Sequence, residues 1–354
     1  MSAELDSAVV ALNAATDAAT QQTTAVQSLT ENVSGKIGEI DTQLNDTILA
    51  INTNYTQAVA TAAAALDARL NGFFNKAIVS EPAFKLDAGA LKINTDLSAY
   101  VNGEVYAYDE DTALTLPASM TVGTDYAIYA TPAGLVVSAN YTVPDGYTAL
   151  NSRRIGGFHY QNSEINKYSI WDLKYKPNVR NPRGMARSPM GVWADIYLLN
   201  TSPEINGTSA YNVTIADGSS PPKIPSFWGG DGTAQYANFD WYTAVKTLSA
   251  FGKRPPTQQE FIALATGSVD NYKTGTDPVT TKFDASARSL IGCEGVSGHM
   301  WQWGADRYAD IAAIFAGSWD YSSTGALVSN WDGAPSYSYY HISARGVCDH
   351  FESL

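Results

Sequence analysis

Nucleophilic or metal chemistry in this 354-residue sequence would have to start from two cysteines, four histidines and a scatter of carboxylates. Cys348-Asp349-His350 puts a thiol, a carboxylate and an imidazole in one run. In an extended segment, however, successive side chains alternate, so Asp349 points away from the other two. A catalytic triad also draws its members from separate elements that converge. The run therefore reads as a structural chain end. Cys293 and Cys348 could form one bridge or remain two buried free thiols, and a pair is too few for a disulfide framework. His299 and His341 are solitary, with no partner at metal-ligand spacing. His299 reads as a core residue and His341 as a candidate for a binding surface. A structural Ca²⁺ would sit near Asp306, Asp310 or Asp320, where oxygen ligands are available. No other cofactor is implied.

Elements must hold such residues, and the bulk numbers bound what those elements are. The length suggests two or three units. A net charge of −13 repels phosphate backbones and argues against nucleic acid as a partner. The start, Met1-Ser2-Ala3-Glu4, lacks the cationic and apolar regions of a signal peptide. The longest small apolar run, from Ala58 to Leu66, is interrupted by Thr61 and is too short to span a bilayer. The expectation is synthesis in a cytoplasm without membrane insertion.

Composition is uneven along the chain. The first aromatic residue is Tyr55 and the first proline is Pro82. A stretch rich in Ala, Thr, Gln and Asn cannot build a globular core. Its apolar residues are nonetheless spaced, at Leu5, Val9, Leu12, Ala19, Val26, Leu29, Val33, Ile37, Ile40, Leu44, Ile48, Ile51, Tyr55, Ala58 and Ala62. Most steps are three, four or seven residues, the seam of a coiled coil. Leu29 to Val33 to Ile37 breaks the heptad beside Gly35 and Gly38 and reads as a stutter or hinge. One narrow stripe leaves a lone helix marginal, so copies are expected to pack together. A stalk of roughly 70 residues would span about 105 Å. A homotrimer is expected, since stalks that project binding heads are usually threefold.

From about Ile78 the period changes to two. Ala99-Tyr100-Val101-Asn102-Gly103-Glu104-Val105-Tyr106 sets Asn-Gly between strand formers, a hairpin signal. Thr131-Pro132-Ala133-Gly134 turns between 125–130 and 135–138, and Val143-Pro144-Asp145-Gly146 is another turn. The stretch reads as an all-β spacer and trimer-organising unit without a site. Past about Tyr175, Trp, Gly and loops dominate. One helix is expected from Asn238 or Asp240 to Gly252, with Ala244, Val245 and Leu248 inward. Another is capped by Thr257 with Glu260 and buries Phe261 and Leu264. After Gly267 little periodicity of either kind is visible.

Several strings in this last part resemble known ones. Arg254-Pro255-Pro256-Thr257-Gln258-Gln259-Glu260-Phe261 is similar to the Arg-Leu-Pro-Thr-x-x-Glu-Trp string of the formylglycine-generating-enzyme branch of the C-type lectin fold. The segment 295–303, Gly-Val-Ser-Gly-His-Met-Trp-Gln-Trp, is similar to that branch's Gly-Asn-Val-Trp-Glu-Trp, and Gly317-Ser318-Trp319 to its Gly-Gly-Ser-Trp. The ending Ala344-Arg345-Gly346-Val347-Cys348-Asp349-His350 resembles the end of the major tropism determinant family of tropism-switching phages. The strings follow in order across roughly the last 110 residues. The resemblance implies a C-type lectin-like domain at the tip of a trimeric tail fibre. It also implies that the residues between the Gly-Ser-Trp and Ala-Arg-Gly strings, Asp320 to Ala344, form a variable ligand surface. That branch's enzymes hold copper with paired cysteines, but neither Cys293 nor Cys348 aligns with them. Calcium-dependent sugar binding needs a Glu-Pro-Asn or Gln-Pro-Asp loop, and none is present.

Such phages diversify adenine-rich codons. Free change of the first two bases, with C or T third, never encodes Trp, Lys, Gln, Glu or Met. Residues 320–344 contain no Lys, Gln, Glu or Met and a single Trp, Trp331. A Tyr- and Ser-rich loop selected by ordinary means has the same composition. Tyr offers a large amphipathic contact at low entropy cost, and Ser adaptable hydrogen bonding. Tyr321, Ser322, Ser323, Asn330, Tyr337, Ser338, Tyr339, Tyr340 and His341 are the candidate receptor contacts, with Trp319 and Trp331 as scaffold.

The sequence thus reads as an α+β multidomain protein. A trimeric coiled-coil stalk covers 1–75, a β-rich spacer and trimerisation domain 76–175, and a C-type lectin-like receptor-binding domain 176–354. The expected function is a non-enzymatic tail-fibre adhesin at the virion tip. Its expected partners are a bacterial surface receptor, protein or glycan, and other tail or baseplate proteins through the stalk. An oxidase of the formylglycine-generating type and a purely structural fibre segment are the rivals.

Overall fold

A computed structural model describes residues 2–70, 73–320 and 330–351, with side chains over 3–62, 73–320 and 333–351. The chain divides into a helical unit up to Asn71 and a compact unit from Gly72 onward.

The first unit is one helix, α1 (Ser2–Leu70). Threonine is a poor helix former, yet here its hydroxyls bond back to carbonyls one turn earlier. Thr16 donates to the Leu12 carbonyl and Thr20 to the Thr16 carbonyl, both at 2.9 Å. The same pattern recurs through Thr53 and Thr61. The helix runs unbroken through Gly35 and Gly38, so the change of spacing lies inside continuous helix. Leu5, Leu12, Leu29, Ile40 and Ile51 are all exposed in the single chain. Among the described residues of the helix, its stripe is not buried by the helix itself.

The second unit begins with β1 (Phe74–Lys76), β2 (Phe84–Asp87), β3 (Ala90–Ile93), β4 (Leu97–Val101) and β5 (Glu104–Tyr108). It continues with β6 (Thr124–Thr131), β7 (Gly134–Ser138), β8 (Arg153–Gln161), β9 (Glu164–Ile165) and β10 (Trp171–Asp172). β1-β4-β5 form one antiparallel sheet, β2-β3 a hairpin, and β10-β8-β6-β7 a second sheet with β9 against β8. Asn102 and Gly103 take positive φ of 50° and 92°, the two-residue turn that joins β4 to β5. Thr131 pairs with Gly134 across the second expected turn. Phe84, Ile93, Leu97, Ile128, Ile155 and Phe158 close one shared core.

The rest carries β11 (Met185–Arg187), β12 (Trp193–Asp195), α2 (Pro203–Asn206), α3 (Trp241–Ser249) and α4 (Gln258–Ala265). After a long loop come β13 (Trp301–Tyr308), β14 (Ile311–Phe315), β15 (Asn330–Gly333), β16 (Ile342–Ala344) and β17 (Val347–Cys348). β11-β12-β17 form one sheet and β15-β14-β13-β16 another, with β13 and β16 parallel. Asp240 caps α3 through the Thr243 N–H at 2.8 Å. Thr257 and Glu260 cap α4 reciprocally, as expected. The inward face of α3 departs from expectation. Ala244 and Leu248 are buried, but Val245 is half-buried and Thr243 and Thr247 take its place. Buried positions four apart explain this, because 243, 244, 247 and 248 share one side of the helix. Strands β13 and β14 were not foreshadowed by any visible period.

Candidate functional site

β14 is followed by Ala316 and Gly317, whose φ values of 81° and 66° turn the chain out of the sheet. The Trp319 N–H donates to the His299 carbonyl at 3.0 Å, and Ser318 Oγ donates to Asp320 at 2.6 Å. Here the interval from Asp320 to Ala344 begins. Tyr321, Ser322 and Ser323 lie outside the described residues. Asn330 stands in β15 opposite Ile314, with its side chain outside the description. The side chain of Trp331 is outside it too.

The return from β15 to β16 is fully described. Tyr337 N–H donates to the Ala334 carbonyl at 2.8 Å, closing a turn. Three backbone bonds from neighbouring segments then hold the loop. Trp241 N–H reaches the Pro335 carbonyl at 3.1 Å, Gly218 N–H the Tyr339 carbonyl at 3.0 Å, and Trp301 N–H the His341 carbonyl at 2.9 Å. Ser338 Oγ accepts the Phe239 N–H at 3.0 Å. Gly218 is needed for this approach, since a Cβ there would stand 2.5–2.6 Å from the backbone of Ser338 and Tyr339. Its turn is recognisable as Asp217-Gly218-Ser219-Ser220, where the Asp217 carboxylate accepts the N–H groups of Ser219 and Ser220 at 2.7 Å.

On this held loop the aromatic rings cluster outward. Tyr337, Tyr339 and Tyr340 are 40%, 45% and 45% exposed. Tyr339 stacks on His341 at 5.6 Å and tilts against Tyr337 at 5.2 Å. Tyr340 meets His341 edge-on at 4.8 Å and lies 5.7 Å from Trp319. Its hydroxyl donates to Asp320 at 3.2 Å. Partial burial lowers the His341 pKa, with Asp320 at 3.9 Å pulling the other way. The two ends of the interval thus meet at Asp320, Tyr340 and His341. Ser338 faces the frame, and the role of Asp320 was not foreseen.

Beneath the loop the frame is wired by a buried arginine. Arg345 is fully buried. Its Nε donates to Gln302 Oε1 at 3.0 Å and its Nη1 to the Ile196 carbonyl at 2.7 Å. It also donates to the carbonyls of Asp195 and Glu294. Three separate segments therefore meet at one guanidinium. Trp303 is fully buried and Trp301 nearly so, in the core that β13 shares with α3.

The residues first considered for chemistry are dispersed. Cys293 and Cys348 are free and buried. Burial pushes their thiols up to about 11 and about 12 respectively. Asp349 is exposed and reaches Arg254 at 3.3 Å, while His350 Nδ1 accepts the Trp193 indole N–H at 3.0 Å. His299 is buried and pairs with Asp284 at 2.9 Å. That bond holds the Asp284 carboxyl well below the usual carboxylate range. Asp306 accepts the Gln258 N–H at 2.6 Å. Among the described residues no three His, Cys, Asp or Glu side chains gather as a metal set.

A family model described as the Mtd second domain matches residues 83–172. Over 322 residues the chain is 38% identical to the tail fiber receptor-binding protein of Bordetella phage BPP-1, covering 78% of this chain and 84% of that protein. The chain belongs to the major tropism determinant family. Among solved structures, it superposes on the Major Tropism Determinant I1 variant with a TM-score of 0.76 and 36% identity, covering 79% of this chain and 86% of the other. The M1 variant gives 0.75 at the same identity and coverage. The α+β character expected from the sequence holds for this chain, which has helices and several small sheets.

Proposed function

We infer that this member of the major tropism determinant family is a phage tail-fibre adhesin that binds a bacterial surface receptor and sets host range. The observation that carries the reading is the aromatic cluster of Tyr337, Tyr339, Tyr340 and His341, exposed on a loop held by backbone bonds. A relative at 38% identity is a tail fiber receptor-binding protein. Rigid exposed tyrosines give contact area at small entropic cost. Tyr321, Ser322, Ser323, Asn330 and Ser338 complete the proposed surface. The receptor is a protein or a glycan. Residues 1–75 act as a stalk, 76–175 as a β-rich spacer and trimerisation domain, and 176–354 as a C-type lectin-like head. The stalk seam packs in a homotrimeric coiled coil and joins other tail or baseplate proteins, with the heads at the fibre tip. The protein is made in the host cytoplasm. It acts by binding alone, a reading supported by two buried thiols with raised pKa values.

Adsorption of the purified full chain to a panel of bacterial strains tests this. Tyr339→Ala and Tyr340→Ala should each weaken cell binding by about 1–4 kcal/mol. Their stability should shift by only about 0.5 kcal/mol. Variants that melt early yet adsorb normally when folded would make these tyrosines core residues and overturn the proposed surface.

A further inference from the structure

Positive charge is concentrated in one stretch of an otherwise acidic chain. Of the 22 Lys and Arg residues, eight fall between Arg153 and Arg187, where Glu164 and Asp172 are the only acids. Part of that stretch surrounds a cavity of about 350 Å³. Arg153, Arg154, Lys176 and Arg180 line it beside Tyr141 and Trp171, and among the described residues no carboxylate does.

The nearby acids are already engaged. Asp172 is buried against Lys76 at 2.7 Å. Asp125 belongs to an adjoining cleft, where it meets His159 at 3.1 Å and accepts the Gly184 N–H at 2.9 Å. The cations make contacts of other kinds. Arg153 is turned to the carbonyls of Phe73 and Tyr100. Arg154 and Arg183 stand 5.2 and 5.0 Å from the centre of one ring, that of Tyr141. Lys176 lies 5.0 Å over Phe351. Arg180 is exposed and has no ion-pair partner among the described residues. The Tyr141 hydroxyl is buried and lacks a hydrogen-bond partner among them.

Cations gathered without counter-carboxylates repel one another, and an entering anion relieves that repulsion. Guanidinium forks match phosphate oxygens in geometry. A tyrosine hydroxyl without a partner supplies one more donor. The limited volume suits a single anionic group, and the net charge of the chain disfavours a long polyanion. We propose that this cavity binds a phosphate group, free or carried on a saccharide. None of its described lining residues lies in the 320–344 interval, so the site is distinct from the Tyr337–His341 cluster.

Calorimetry on the full chain tests the assignment with inorganic phosphate, glucose 1-phosphate and glucose. Both phosphates should bind saturably and glucose should not. Tighter binding of glucose 1-phosphate assigns the saccharide-linked form, and equal binding the free ion. Arg180→Ala and Arg154→Ala should each weaken phosphate binding by about tenfold, and Tyr339→Ala should leave it unchanged. No saturation, or unchanged affinity in both arginine variants, overturns the site. Loss of the native oligomeric mass in Arg180→Ala also overturns it, because the cations would then meet a carboxylate of another copy.

Discussion

Replacing Arg345 by Met tests whether the binding loop rests on a wired frame. Methionine fills much of the volume but makes none of the hydrogen bonds. The buried carbonyls of Asp195 and Glu294 and Gln302 Oε1 would lose this donor, while the Ile196 carbonyl keeps the Glu294 N–H at 2.7 Å. Each buried group left unpaired costs about 1–3 kcal/mol. Part of that cost is offset, because the variant no longer buries a guanidinium. The carboxylates of Asp195 and Glu294 keep Lys253 and Arg288 as partners. A net loss of about 3–5 kcal/mol follows, as for other broken buried charge networks. Ordinary domains are stable by only about 5–15 kcal/mol, so the head should melt far earlier. Urea denaturation followed by tryptophan fluorescence reads this directly. Arg345→Lys should recover only part of the loss, since one ammonium cannot span the fork. A Met variant that unfolds within about 1 kcal/mol of the parent would refute the frame argument.

Gly218→Ala should displace the backbone of Ser338 and Tyr339, lowering stability by about 1–3 kcal/mol and weakening cell adsorption together. A thermal melt beside an adsorption assay checks both. Light scattering should give the mass of a homotrimer, and a monomer at micromolar concentration would sink the stalk reading. Burial, then Arg187 and Lys76, pushes the His350 imidazole down to about 4. The unfolded residue titrates near 6.5, so between those values the unfolded chain binds more protons. Stability should therefore fall by about 1–2 kcal/mol, discounted for partial exposure, as pH drops from about 6.5 to about 4. His350→Asn should flatten the chemical-denaturation profile in that window.

The parts legible in the sequence were those whose physics is local. Asn102-Gly103 specifies its hairpin by positive φ alone, and Thr257 with Glu260 specifies a helix start within four residues. The stripe of α1 shows in spacing because one face of a helix repeats. The sheet that carries the binding loop did not show. Along β13 and β14, residues 301–304 and 312–315 are buried in succession, so no alternation survives. The parallel pairing of Trp301 with Ile342 joins residues far apart in sequence, and no local signal marks it. Arg345 was equally hidden. A lone arginine is normally exposed, and only the convergence of three distant segments on it makes its burial tolerable. The local excess of cations around the phosphate cavity is masked by the net charge.

How much the loop can vary follows from which of its atoms make the holding bonds. Pro335, Tyr339 and His341 are held through their carbonyls. Side chains at 337, 339, 340 and 341 can therefore change without cutting these backbone bonds, at the cost of ring contacts worth about 0.5–1.5 kcal/mol each and, at 340, of the hydrogen bond to Asp320. Position 338 differs, because Ser338 accepts the Phe239 N–H through its own hydroxyl. Ser338→Ala should cost about 1 kcal/mol, whereas Ser338→Asn, which keeps an acceptor, should lose less. Tyr340→Ser should leave the backbone of the loop in place. Hydrogen exchange at the Phe239 amide separates the cases. It should speed up in Ser338→Ala and stay unchanged in Tyr340→Ser, and faster exchange in both would mean that the tyrosines themselves hold the loop.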